Sequence, residues 1–557
     1  MNPYWNINIP YSQGIQSIYK YGILFAIKNK VLFLGIYILN GTLAAISFLY
    51  LQDYRIPRWR KAVLAFLIIY TQIIMLILAS LILYNSPLFP YSFRYFGYSD
   101  YIIRNSHINQ TRIWYHNWPT FPIFGAVLYK ISNVSSFSIV LMIPVFLTIL
   151  GATYVFNIGL VLTRKIGFAT LWTYLFILLN WSHQIFYTSQ LYAYVFYLAI
   201  LTIIVTKKEI LKYNWQMILA IIFATLVTSH ILMSLYVLSL LIITTLVKIL
   251  MDIFPHNPTK RSKILSFIVP ILMFIGWNSL WASKWVFSRV NRIVVFLRTL
   301  GSIEASKSMI DKGSHYHEIY STIRLISSVF VILASVLSIC VLYRYKEYFI
   351  KKQNSTPHMF HYLILAISIV IPYGIALLGT HGGESFIRAY LYSLVGATFY
   401  ISTLLKFSTF SPSLTKKRYI STLFLVILMS LPAMSLINNY YAYSTQYVST
   451  VDIQGVQFFY THSRPLSISI VQYGTIFEWK FQEKYIFKLN TLEISKADYL
   501  WITPLGIRYY SFLGPLGSSE EILVKKHYSG YIITSEQFNK IYTTNNIEKF
   551  EIYVRTS

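Results

Sequence analysis

A single carboxylate stands out in a long basic segment of this sequence. Asp100 is the only acidic residue between Asp53 and Glu209. The segment around it, residues 85–135, also carries cationic and imidazole side chains: Arg94, Arg104, Arg112, His107 and His116. A carboxylate among cations is favoured to ionise, so Asp100 could act as a general base or as one ligand of a divalent cation, Mg²⁺ or Mn²⁺. The alternative is an ion pair with Arg104, four residues later on a helix.

The residues after Asp100 are candidates for contact with a substrate. His107 follows seven residues later, two helical turns on the same face, and could orient the carboxylate, bind a sugar hydroxyl or ligate a metal. We predict that the next polar and aromatic side chains bind substrate: Trp114, Tyr115, His116 and Trp118. The alternatives are a surface histidine and a belt of aromatic side chains at a membrane interface. Pro119 and Pro122 mark a turn before a helix predicted over 123–131.

A second polar group lies at residues 381–391, where a late apolar segment begins. Charges at the entry of a membrane segment are costly to bury, so Glu384 and Arg388 are candidate substrate-binding residues. The guanidinium of Arg388 suits phosphate oxygens, and Gly382 and Gly383 allow a ligand to approach the backbone closely. The alternative is a salt bridge between Glu384 and Arg388, which are four residues apart.

A third candidate region is residues 284–321. It begins with basic and apolar residues at helical spacing, WVFSRVNRIVVFLRTL, which predicts a helix lying in the membrane interface. Arg292 is the candidate for contact with a lipid headgroup or with the phosphate of a substrate. The run from His315 to Glu318 could bind a metal, but Gly313 interrupts any helix there and no further ligand cluster is evident.

Composition indicates what must position these residues. The chain has 557 residues, of which 56% are hydrophobic and 12% charged, with a net charge of +28. Soluble domains carry about 25% charged residues, so an ordinary cytosolic enzyme is excluded. Residues 1–437 hold 36 of the basic and 9 of the acidic residues, whereas residues 438–557 are nearly balanced with 11 and 10. This distribution favours a membrane protein oriented by its basic loops over a nucleic-acid binder.

Hydropathy predicts a mainly α fold, a polytopic membrane helix bundle with about 12 spans in residues 1–437. The predicted spans are 31–51, 62–84, 136–162, 166–181, 188–206, 214–229, 231–250, 264–283, 322–343, 361–380, 386–404 and 419–437. Every second connection is basic, which predicts that it faces the cytoplasm. The loops 85–135 and 284–321 and both termini then lie outside. Short β-rich runs separated by turn residues predict a small extracytoplasmic α/β domain over 438–557. The runs are QFFYTH, LSISIVQY, KYIFKL, DYLWIT, YIITS and FEIYVR.

The membrane region resembles the GT-C superfamily of glycosyltransferases. The resemblance rests on a span followed by a long external loop that carries an acid, a histidine, and an aromatic-proline stretch before a short helix. Relatives include protein O-mannosyltransferases, the catalytic subunit of oligosaccharyltransferase and aminoarabinose transferases, which use polyprenyl-phosphate-linked sugars. The resemblance implies that Asp100 is the catalytic base or a metal ligand, although family members often have two acids where this chain has Asp100 and Tyr101. A similar Gly-Gly-Glu…Arg…Tyr-Leu segment in relatives implies that Arg388 binds the phosphate side of the donor.

The expected function is transfer of a hexosyl or pentosyl group at the outer face of the cell membrane. The donor is a polyprenyl-phosphate-linked sugar, and the acceptor is a lipid, a glycan or a protein. Asp100 activates the acceptor, while Arg388 stabilises the departing phosphate. One alternative is a transporter or lipid flippase, which predicts charges near mid-membrane and symmetry-related repeats; we find almost no mid-span acids and no obvious repeat. The other is a structural membrane protein with an external binding domain.

Overall fold

The chain folds mainly as α-helices. The computed structural model describes residues 30–53, 55–84, 91–110, 113–134, 136–180, 186–206, 213–253, 265–283, 356–377 and 383–410, parts of 286–343 and 426–435, and the strand segments 470–471, 499–502, 538–543 and 551–555. Glu384 and Trp114 belong to described elements, but their side chains lie outside the description. Arg292 and the segment from Gly313 to Glu318 also lie outside the described residues.

The described helices have the following bounds. They are α1 (Lys30–Gln52), α2 (Arg58–Tyr84), α3 (Tyr91–Asn105), a 3₁₀ turn (Trp114–Asn117), α4 (Thr120–Ser132), α5 (Ser136–Thr163), α6 (Ile166–Leu178), α7 (Ser189–Thr206), α8 (Tyr213–Val227), α9 (Ile231–Ile253), α10 (Leu265–Gly276), a π turn (Trp277–Trp281), α11 (Thr356–Leu377) and α12 (Gly383–Phe410). The helix predicted over 123–131 is therefore confirmed as α4. It begins three residues earlier than 123, and Pro122 is accommodated in its first turn, where a missing N–H costs little.

Most predicted spans coincide with described helices. Among the described residues, two helices are long and apolar enough by length and composition to cross a membrane, Arg58–Leu76 and Ser138–Thr163. Other predicted spans correspond to shorter apolar helices such as Ile231–Val247. The predicted spans 322–343 and 419–437 lie mostly outside the described residues. The number of spans and the outward position of both termini therefore stay predictions.

The first two helices carry an apolar outer surface. Leu39 and Leu43 on α1 and Phe66 on α2 are each more than half exposed. Single exposed apolar residues are ordinary, but runs of them on neighbouring helices are not typical of a surface in water. On the inner side, Asn40 and Gln72 exchange two side-chain hydrogen bonds, at 3.0 and 3.2 Å, that join α1 to α2. This arrangement fits helices that face lipid outside and satisfy their polar groups inside.

The core is held by close helix contacts and by hydrogen bonds across helices. Trp172 on α6 is fully buried, and its indole N–H donates to the Val395 carbonyl and to the Thr398 hydroxyl on α12, both at 3.0 Å. A Cβ at Gly396 would collide with the Leu365 carbonyl on α11, so a glycine is needed where α11 and α12 pack. These contacts fix α12, which carries Arg388 near its start.

Four short strands lie in the predicted C-terminal domain. They are β1 (Ile470–Val471), β2 (Tyr499–Ile502), β3 (Phe538–Thr543) and β4 (Glu551–Arg555), and they form a sheet of order β1-β2-β4-β3. The β1–β2 pair is parallel and the other two pairs are antiparallel. β1, β2 and β4 fall within predicted β-rich runs, whereas β3 follows the predicted run YIITS. The helical part of the predicted α/β domain and its extracytoplasmic position stay predictions.

Candidate functional site

The predicted functional loop folds as a compact unit on the helix bundle. We call residues 91–132 the loop module; it comprises α3, the 3₁₀ turn and α4. Hydrogen bonds attach it to the bundle. The Thr120 N–H donates to the Thr228 carbonyl at 3.2 Å, and their hydroxyls are 2.5 Å apart. The Trp277 indole N–H donates to the Asn117 carbonyl at 3.0 Å. The module is therefore fixed against the turn between α8 and α9 and against the π turn.

Within the module, α3 and α4 approach closely at Gly125. A Cβ at this position would collide with the Tyr187 hydroxyl and with the Ser99 hydroxyl, and would lie 3.1 Å from the Ser99 Cβ. The Ser99 and Tyr187 hydroxyls are themselves 3.5 Å apart. A glycine is thus required for α4 to pack against α3, which carries Asp100.

Asp100 forms the ion pair that its spacing from Arg104 allows. Arg104 Nη2 and Nε lie 3.0 and 3.1 Å from Asp100 Oδ2, and both side chains are partly exposed. The pair is compatible with an ionised carboxylate, and a catalytic role for Asp100 stays a prediction. Among the residues that the structure describes, no group of three or more His, Cys, Asp or Glu side chains could hold a metal ion.

The predicted alignment of His107 with Asp100 is wrong. Helix α3 ends at Asn105, and Ser106 has a φ of 57°, in the left-handed region, so His107 lies beyond the helix and leaves the face of Asp100. Its Nδ1–H donates to the Asn105 carbonyl at 3.0 Å, and its Nε2 lies 3.1 Å from the Tyr101 hydroxyl. A substrate-binding role for this exposed histidine stays a prediction, but it does not rest on a shared helical face.

His116 joins two parts of the loop module. It is fully buried; its Nδ1 accepts the Asn109 N–H at 3.0 Å, and its Nε2 lies 3.1 Å from the Tyr98 carbonyl. Because Nδ1 accepts and a carbonyl cannot donate, the proton is on Nε2 and the ring is neutral. Burial lowers the pKa of His116, and this outweighs the two hydrogen bonds that raise it. His116 therefore positions the chain around it, and its predicted contact with substrate stays a prediction.

Tyrosines connect α3 to the 3₁₀ turn. The Tyr95 and Tyr115 hydroxyls are 2.6 Å apart, with their rings edge to face at a centroid distance of 4.9 Å. Tyr98 stacks on Tyr115 at 5.2 Å, and its hydroxyl accepts a 2.8 Å hydrogen bond from Arg94. Trp118 is buried. Tyr115, a predicted substrate-binding residue, is thus held by neighbours that include Tyr95.

The charge of Arg388 also acts on this tyrosine cluster. Arg388 is half-buried in α12. Burial raises the pKa of Tyr95, as do Tyr115 and Tyr98, whereas the positive charge of Arg388 lowers it. Burial, followed by the charge of Arg388, lowers the pKa of His230 to about 3. Arg388 therefore lies within electrostatic reach of α3 in the loop module and of the turn between α8 and α9.

Sequence reasoning selected Arg388 but missed Tyr95 as its neighbour. The chain contains 48 tyrosines, so no single one is distinguished by composition. Tyr95 and Asp100 are five residues apart, about 140° around α3, and their side chains leave the helix on different faces. Arg388 thus acts electrostatically on Tyr95, while Asp100 lies on another face of α3 with Arg104.

A scan against models of known protein families finds no match to this chain, and no curated protein matches it. Among the solved structures that resemble it are two of the oligosaccharyltransferase of Archaeoglobus fulgidus. The complex with Zn and sulfate is 13% identical, with a TM-score of 0.42 and coverage of 87% of this chain and 73% of that chain. The apo form is 11% identical, with a TM-score of 0.45 and coverage of 88% and 75%.

Proposed function

We propose that this chain is a membrane glycosyltransferase that moves a sugar from a polyprenyl-phosphate donor to a lipid, glycan or protein acceptor at the outer face of the cell membrane. The observation that carries the proposal is the environment of Arg388. This guanidinium lies near the start of α12, within electrostatic reach of Tyr95 in the loop module and of His230. The resemblance of the loop and of the segment around Arg388 to GT-C enzymes supports the same reading.

The chemistry of Arg388 suits the binding of an anion. Its guanidinium is permanently charged and matches a phosphate group with paired hydrogen bonds. At neutral pH His230 is neutral, because its pKa is lowered to about 3, and Tyr95, whose pKa is raised, is protonated. In the reaction, Arg388 stabilises the phosphate as it leaves.

Asp100 is proposed as the base. It removes the proton of the acceptor hydroxyl or amide while the acceptor forms a bond to the anomeric carbon and the bond from that carbon to the phosphate oxygen breaks. The configuration inverts, because attack and departure occur on opposite sides of the carbon. Asp100 is partly exposed, so it returns its proton to water.

The described residues do not provide a Mg²⁺ or Mn²⁺ site. Asp100 is one carboxylate, already paired with Arg104 at 3.0 Å, and the described His107 ring is bonded to Tyr101 rather than to Asp100. We therefore derive no step through a metal.

The experiment is a transfer assay in membranes that contain the full chain and are supplied with a polyprenyl-phosphate-linked sugar. Asp100→Asn keeps the size of the side chain and removes the base, so transfer should fall by at least about a hundredfold, the usual worth of general base catalysis. Arg104→Gln tests whether Asp100 acts as a base or only as a partner in the ion pair. An exposed ion pair contributes about 0–1 kcal/mol to stability, so this variant should keep its activity.

Asp53→Asn is the matched control, because Asp53 is a carboxylate on a different connection whose Oδ1 accepts the Arg55 N–H at 3.0 Å. It should transfer as the wild type does. Normal transfer by Asp100→Asn would overturn the role of Asp100. Equal losses in Asp100→Asn and Arg104→Gln would show that only the ion pair matters.

A further inference from the structure

A chain of hydroxyl groups runs from α7 to Tyr95. Ser189, the first residue of α7, donates a hydrogen bond through its Oγ to the Tyr115 hydroxyl at 3.4 Å. The Tyr115 hydroxyl in turn lies 2.6 Å from the Tyr95 hydroxyl. The first contact is long and the second is short for hydrogen bonds between hydroxyls. Three elements of the fold, α7, the 3₁₀ turn and α3, thus meet through these three side chains.

The same end of α7 also holds the start of α12. The Gln190 side-chain amide donates to the Tyr392 hydroxyl at 3.2 Å, and the Tyr194 hydroxyl donates to the Leu391 carbonyl at 3.1 Å. Arg388 lies one helical turn before Tyr392 on the same face of α12. Adjacent residues of α7, Ser189 and Gln190, therefore connect to the Tyr95 pair and to the turn that follows Arg388.

We propose that the Tyr95 hydroxyl is a second donor to the phosphate oxygens that Arg388 binds, oriented by the chain from Ser189 through Tyr115. This inference rests on the proposed function and adds a binding residue to it. The ligand chemistry is a phosphate group, carried by a polyprenyl lipid or free in solution.

The number of protons on these hydroxyl groups limits the directions that their hydrogen bonds can take. Each phenol carries one proton, and the contact between Tyr95 and Tyr115 uses one of the two. Ser189 donates to Tyr115, so Tyr115 can donate to Tyr95, and the Tyr95 proton is then directed to an acceptor beside Arg388. An anion bound at Arg388 favours this orientation, because its negative charge attracts the proton of the Tyr95 hydroxyl. The raised pKa of Tyr95 keeps that proton on the phenol at neutral pH.

The test is native mass spectrometry of the purified full chain titrated with undecaprenyl phosphate and, separately, with dolichyl phosphate. Tyr95→Phe keeps the ring, which packs edge to face on Phe121 at 6.2 Å, and removes only the hydroxyl. A hydrogen bond to a charged group is lost, so we expect the Kd to rise about tenfold. Tyr115→Phe should raise the Kd less, and should add little to Tyr95→Phe, because Tyr115 acts through Tyr95.

Tyr98→Phe is the matched control on the same helix. This substitution also removes a hydroxyl that takes part in a hydrogen bond, since the Tyr98 hydroxyl accepts one from Arg94 at 2.8 Å. The variant should bind the lipid phosphates as the wild type does. The uncharged lipid undecaprenol gives a second control: Tyr95→Phe and wild type should bind it equally, because the phenol contacts phosphate and not the lipid tail. A general structural defect in Tyr95→Phe would weaken binding of both lipids.

The outcomes separate this inference from the proposed function. Wild-type binding of polyprenyl phosphate with an unchanged Kd in Tyr95→Phe would overturn the role of Tyr95 and leave the proposed function standing. Absence of wild-type binding to either lipid phosphate, and also to inorganic phosphate titrated in the same way, would overturn both. Binding of inorganic phosphate alone, weakened by Tyr95→Phe, would support the phosphate site and contradict a lipid-linked donor.

Discussion

Acidification should loosen the loop module through His116. This imidazole is buried and neutral in the folded module, with a pKa lowered by burial. When the module opens locally, the ring regains an ordinary pKa of about 6.5. The open form therefore binds a proton below that pH, whereas the folded form does not until its own lower pKa is reached. The module has its full stability well above pH 6.5. As the pH falls below that value, the module loses stability, by up to about 1.4 kcal/mol per pH unit.

Hydrogen exchange at Asn109 measures this opening directly, because its N–H donates to His116 Nδ1 at 3.0 Å. After correction for the intrinsic pH dependence of exchange, protection of the peptide containing Asn109 should fall by up to about fivefold between pH 6.5 and pH 5.5, because the open form is half protonated at pH 6.5 and almost fully protonated at pH 5.5. His116→Gln should remove the pH dependence. The exposed His107 offers a matched control, and the His107→Gln variant should keep the pH dependence of protection. The same pH dependence in His116→Gln and wild type would refute the reasoning.

Two further predictions concern packing. Gly125→Ala should lower stability by about 1–3 kcal/mol, because the added methyl group overpacks the contact of α4 with α3; thermal denaturation of the purified chain measures it. Gly35→Ala, where a Cβ meets nothing within 4 Å, should be neutral or stabilising, and equal effects of the two variants would contradict the packing argument. Trp172→Phe should cost about 1–3 kcal/mol through the loss of hydrogen bonds to α12. The exposed Trp59 provides its control, and Trp59→Phe should denature with an unchanged midpoint.

Local features of the site were predictable from the sequence. The ion pair of Asp100 with Arg104 follows from spacing on a helix, and the prolines before 123–131 indicated the start of α4. Arg388 was distinguished by its charge at the beginning of an apolar helix. Each of these signals lies within a few residues of the position that it predicts.

Contacts between distant segments were not predictable in this way. The position of His107 depends on where α3 ends, and Ser106 in the left-handed region gives little advance sign because serine is not the usual residue there. The proximity of Tyr95 to Arg388 depends on how α3, α7 and α12 pack. Tyrosines are frequent throughout this chain, so the side chain next to Arg388 becomes apparent only when the helices are assembled.

The most direct test of the central claim compares lipid-linked sugars in cells that contain the chain, lack it, or carry it with Arg388→Ala. Mass spectrometry of extracted polyprenyl phosphates measures the sugar donor, and mass spectrometry of surface glycans measures the product of transfer. We predict that one polyprenyl-phosphate-linked sugar accumulates in the deletion and in Arg388→Ala, and that one surface glycan, lipid or protein loses that sugar. Identical lipid-linked sugars and identical surface glycans in all three strains would contradict the account.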